Sequence, residues 1–133
     1  IYTVMDGQRP ASGIQGLAKW LLAVPVDMPR LTVPLLERLL IARSEPCKVV
    51  FFREHELPLL VRVEEDVCGL LKRRVFSANW GRDLSLRSFV EELRGHDPAL
   101  VRELDVCSAE RTAFLNINRP QDWNEYCQEN WCV

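Results

Sequence analysis

The sequence predicts a single α/β domain over residues 1–133. Its expected core is a three-layer, doubly wound and mostly parallel sheet with a mixed hairpin at one edge. Three observations predict this. Short, nearly continuous apolar runs, Trp20–Val24 and Lys48–Phe52, suit strands covered on both faces. Stretches with helical spacing of leucine and valine alternate with those runs, which is the order of a largely parallel sheet. Proline and glycine punctuate the boundaries.

Composition narrows the function classes. The chain has 133 residues, 47% hydrophobic and 27% charged, which is the ordinary globular mix and enough for one core. A net charge of −2 supplies no field to recruit nucleic acid or an anionic membrane. No apolar run approaches the roughly 20 residues of a membrane span. Five cysteines without a C-x-x-C pair, and only two histidines, leave little material for a zinc site. Reduced cysteines of a cytoplasmic protein are expected, with a Cys127–Cys132 cross-link as the minor alternative.

In chain order, Ile1–Met5 reads as a short strand broken by Asp6-Gly7. Residues 8–16 form a loop whose glycines allow close approach of a ligand or simply a tight turn. Only Leu17, Ala18 and Lys19 separate this loop from the strand at Trp20, whereas a parallel crossover needs roughly a dozen residues. Pro25 and Pro29 end that strand by removing two backbone donors. Asp27 lies between them, at a strand end where open α/β sheets place ligands, or else as the cap of the next helix.

Thr32 is the expected N-cap of a helix over 30–44 that buries Leu35, Leu36, Leu39 and Leu40. Lys48–Phe52 and Leu57–Val63 read as a strand hairpin, with His55 in the turn as a solvated side chain or a general base. A helix over 64–76 follows. Asp83 is the expected N-cap of a helix over 84–94 ended by Gly95, and Arg87 on it is a potential anion clamp. Val101–Val106 is a strand. Ala113–Asn118 is expected as the last strand, with Asn116 and Asn118 on one face, suited to a heterocycle or to an Asx turn. Pro120 opens a terminal helix over 121–128 with Trp123 and Tyr126 inward.

Five segments in this order resemble the molybdenum cofactor guanylyltransferases, the MobA-like branch of the Rossmann-like nucleotidyltransferase fold. They are Ser12–Leu17, Leu21–Pro29, Leu57–Leu59, Leu84–Phe89 and Phe114–Pro120. The most specific are Pro25-Val26-Asp27-Met28-Pro29 and Asn116-Ile117-Asn118-Arg119-Pro120. The resemblance implies transfer of GMP from GTP to molybdopterin, with Mg²⁺ as cofactor. It implies Asp27 as the catalytic metal ligand, and Asp6, Ser12 and Gly16 at the nucleotide. Asn116 and Asn118, with Arg87, would stand at molybdopterin.

Expected partners are GTP, molybdopterin and other proteins of molybdenum cofactor biosynthesis, with neither nucleic acid nor membrane. The family's opening glycine-rich loop has no counterpart, so the chain reads as the C-terminal two-thirds of such an enzyme. The alternatives carried are a cytidylyl- or other nucleotidyltransferase of the same fold, and a truncated, non-catalytic molybdopterin-binding relative.

Overall fold

Alternation along each strand decides which side chain meets which layer. In the computed structural model, which describes residues 2–5, 19–76 and 85–131, β3 (Val49–Phe52) turns Val50 and Phe52 to one face and Val49 and Phe51 to the other. β4 (Leu59–Val63) pairs with it and divides the same way, with Leu60 on the first face and Leu59 and Val61 on the second. Both faces are covered, so these strands read as continuous apolar runs, as the sequence suggested.

The sheet has five strands in the order β1-β2-β4-β3-β5, with β1 at Tyr2–Met5, β2 at Lys19–Ala23 and β5 at Val101–Leu104. The β3–β5 pair is parallel; the β1–β2, β2–β4 and β3–β4 pairs are antiparallel. The described residues therefore form a mixed sheet rather than the mostly parallel one expected. The physical reason is where the hairpin goes. β4 folds back beside β3 and inserts between β3 and β2, instead of standing at an edge. β2, β3 and β5 still point one way, so their carboxyl ends share one edge of the sheet.

The first face carries α1 (Val33–Ala42). Thr32 caps it, its hydroxyl accepting from the Leu35 N–H at 3.4 Å. Leu35 and Leu39 are buried against Trp20, Leu22, Val50 and Phe52. The second face carries α2 (Glu65–Phe76) and α3 (Leu86–His96), which bury Val67, Leu70, Phe89, Val90 and Leu93. Helices on both faces give the three layers that were expected.

Three local expectations change. The cap of α3 is Ser85, whose Oγ accepts from the Ser88 N–H at 3.1 Å; Asp83 lies outside the described residues. Gly95 continues α3 rather than ending it, and the helix closes at His96 with Asp97 donating to the Leu93 carbonyl. Residues 113–118 form no strand. Ser108–Phe114 winds into a 3₁₀ turn and 115–118 runs on extended outside the sheet. The terminal helix, α4 (Pro120–Trp131), is longer than expected and buries no residue, with Trp123 half in solvent rather than packed inward.

Candidate active site at the carboxyl edge of the sheet

β2 ends at Ala23, and the Pro25–Pro29 turn carries the chain across the carboxyl edge toward α1. At the centre of that turn the Asp27 carbonyl accepts from the Ile117 N–H at 2.7 Å. One backbone bond thus joins two segments far apart in sequence. It leaves Asn116 and Asn118, both exposed, on either side of the contact. The Asp27 side chain is half-buried, and among the described residues its carboxylate has no hydrogen-bond or ion-pair partner. Among the described residues this carboxylate caps no helix, which decides against the capping role. Thr32 already caps α1.

The asparagine segment is held from below by packing and charge. Glu110 accepts from the Cys107 N–H at 3.1 Å and from Arg38 Nη1 at 2.5 and 2.6 Å. A hydrogen bond to Cys107 and the Arg38 guanidinium hold the Glu110 carboxyl down to about 2. Arg38 also donates to the Asp105 carbonyl at 2.9 Å and lies over the Phe52 ring. These bonds favour the 3₁₀ turn over the expected strand, because the backbone and Arg38 are committed to Glu110. Phe114, at the end of that turn, is buried. It meets Phe52 edge-on at 5.3 Å and His55 face-on at 4.0 Å with 16° between the rings. His55 is therefore a stacked side chain rather than a solvated one, and burial lowers its pKa below 6.5.

The far side of the segment is fixed by α4. Pro120 starts it, and Asp122 reaches back to accept from the N–H groups of Asn118 at 3.3 Å and Arg119 at 3.0 Å. The Arg119 guanidinium holds the Asp122 carboxyl below the usual range. Arg30, just past the Asp27 turn, pairs with Glu129 of α4 and lies over the Tyr126 ring at 5.5 Å.

Of the residues named from sequence, Asp27, Asn116 and Asn118 come together. Arg87 does not join them. It stands in the first turn of α3, highly exposed, 3.6 Å from Glu56, on a separate cavity. Asp6, Ser12 and Gly16 lie outside the described residues. The reading of the sequence missed Ile117, whose backbone makes the bridge, and Asp122 and Glu110, which set the ends of the segment. Two of these had a signal. Glu110 follows Cys107 by three residues and Asp122 follows Arg119 by three, the spacing of an acid that reaches back to a helix start.

Among the described residues no group of three or more His, Cys, Asp or Glu side chains could hold a metal ion. One uncommitted carboxylate does fit Mg²⁺, which is commonly held by one or two carboxylates and completes its shell with water and phosphate oxygens. It does not fit a zinc site, which takes three or four protein ligands.

Fold and site together define a class: an α/β domain that presents a free acid and a pair of amides at the carboxyl edge of its sheet, where ligands of such folds bind. No family model matches the chain, and no solved structure matches it. The chain is 34% identical over 113 residues, 85% of its length, to a molybdenum cofactor guanylyltransferase of Xanthomonas euvesicatoria pv. vesicatoria. This similarity supports a place among the MobA-like guanylyltransferases. It spans about half the length, 54%, of that relative.

Proposed function

We propose that the chain takes part in transfer of GMP from GTP to molybdopterin, forming molybdopterin guanine dinucleotide and releasing pyrophosphate. The observation that supports this reading is the 2.7 Å backbone bond from Ile117 to Asp27, which joins the turn carrying Asp27 to the segment carrying two exposed asparagines. In this reading the terminal phosphate of molybdopterin attacks the α-phosphorus of GTP. No side chain acts as nucleophile; the protein positions the two reactants. Asn116 and Asn118 hydrogen-bond the acceptor, each amide offering donors and an acceptor. Asp27 would hold Mg²⁺, which when bound neutralises charge on the triphosphate. Asp6, Ser12 and Gly16 would complete the nucleotide side, and the cytoplasm is the compartment this reading implies. The relative's name supports guanine as the base over cytosine.

The test is transfer of label from α-³²P-GTP to molybdopterin by the full-length protein with Mg²⁺. Asp27→Ala should lose transfer by at least a hundredfold while melting like the parent. Undiminished transfer by that variant would remove Asp27 from the mechanism.

A further inference from the structure

A second cavity opens on the other face of the sheet at the same edge. It measures about 190 Å³ and lies between the β3–β4 turn and the first turns of α3. Its apolar lining comes from Phe51, Leu86 and Val90. Four carboxylates rim it. Glu103 is committed to Arg94 and Arg53, Glu91 to Arg94, and Glu56 faces Arg87. Glu54 is different. It is exposed, it sits at φ 66° in the turn, and among the described residues its carboxylate has no hydrogen-bond or ion-pair partner, though its charge acts on the adjacent His55. Beside it His55 is held flat on Phe114, two residues from Asn116.

This chemistry selects a ligand. Whole small-molecule sites run to roughly 300–1,000 Å³, so this cavity takes one ring system and not a nucleotide. Arginines match three of the four rim carboxylates, which leaves Glu54 as the rim charge without an ion pair. An unpaired carboxylate over an apolar floor accepts from adjacent N–H groups on the edge of a neutral heterocycle. His55, which lines the cavity, stacks on Phe114, so the cavity neighbours the turn that leads into the Asn116–Asn118 segment.

We propose that this cavity binds a fused 2-amino-4-oxopyrimidine ring, with Glu54 accepting from its ring N–H and amino group. The inference rests on the reading of the protein as a guanylyltransferase. Two parts of its substrates carry that edge, the pterin of molybdopterin and the guanine of GTP. The place of the cavity next to the asparagine segment favours the pterin.

The experiment titrates the full chain into neopterin, a fluorescent pterin without phosphate, with guanosine as competitor. Saturable quenching is expected, and Glu54→Gln should weaken it at least tenfold with an unchanged melting temperature. Leu86→Trp, which fills the floor, should weaken it as well. Quenching that guanosine leaves intact assigns the cavity to the pterin; displacement by guanosine assigns it to the base. Equal affinity of parent and Glu54→Gln for both compounds overturns the proposal, as does binding of an oligolysine peptide with neither heterocycle bound. GMP transfer that survives alongside such a result would leave the guanylyltransferase reading standing. Glu54-dependent binding without any GMP transfer would do the reverse.

Discussion

Replacing Glu110 with glutamine tests whether one half-buried clamp positions the asparagine segment. The substitution keeps the shape and removes the charge that Arg38 and Cys107 engage. A folded pKa of about 2 against 4.5 corresponds to at most about 3 kcal/mol, at about 1.36 kcal/mol per pH unit. The Arg38 side chain is 40% exposed and Glu110 23%, so solvent screening reduces this to about 1–2 kcal/mol. For a domain of this size that is a loss of about 4–8 °C in melting temperature at pH 7.

The pH dependence follows from the sign of the shift. The folded state holds the charged form more strongly than the unfolded chain does. The stabilisation is therefore present above about 4.5 and fades as pH falls toward about 2. The gap between denaturant melts of parent and Glu110→Gln should narrow from pH 7 to pH 3. Identical stability at pH 7, or a gap that persists unchanged at pH 3, would refute the clamp.

Three further outcomes are expected. Phe114→Ala removes the ring that both Phe52 and His55 contact and should cost about 3–5 kcal/mol in urea unfolding. Leu39→Ala, at a fully buried position of α1, should cost about 2–5 kcal/mol by the same assay. His55 should titrate by NMR with a midpoint below 6.5. Because the fold favours its neutral form, it should contribute stability above that pH that is lost as the unfolded chain protonates; a midpoint above 6.5 would contradict the stacked, half-buried placement.

The elements were legible where local physics governs them. The leucine stripe and the Thr32 cap of α1 need no distant partner, and they form as spacing predicts. The apolar runs at β2, β3 and β4 also form strands, because each has a covered face to fill. Pairing was not legible. Nothing within residues 57–63 says that the returning strand will insert beside β2, and that insertion makes two of the four pairings antiparallel, to which β1–β2 adds a third. The expected strand at 113–118 failed for a similar reason. Its β-forming residues compete with the bonds from Arg38 Nη1 to both carboxylate oxygens of Glu110, which lies 72 positions away.

The same division runs through the site. Asp27 and the two asparagines were named from a resemblance between short motifs, and the fold brings their segments within one hydrogen bond. Arg87 was named from its charge and its place in a helix start, and the fold sets it on the lining of the cavity beside α3, apart from the Asp27 turn. Charge on a surface helix says what a side chain can bind, and the packing of that helix says where.

Initial rates of GMP transfer from labelled GTP to molybdopterin, across the parent, Asp27→Asn, Asn118→Ala and the double variant, test the joined site most directly. Both single variants should lose rate, by about tenfold or more each. The double variant should fall by less than the product of the two losses, because neighbours acting on one complex are not independent. Parent-like rates for Asp27→Asn, or losses that multiply as for two separate sites, would contradict a single site built by the Asp27–Ile117 bond.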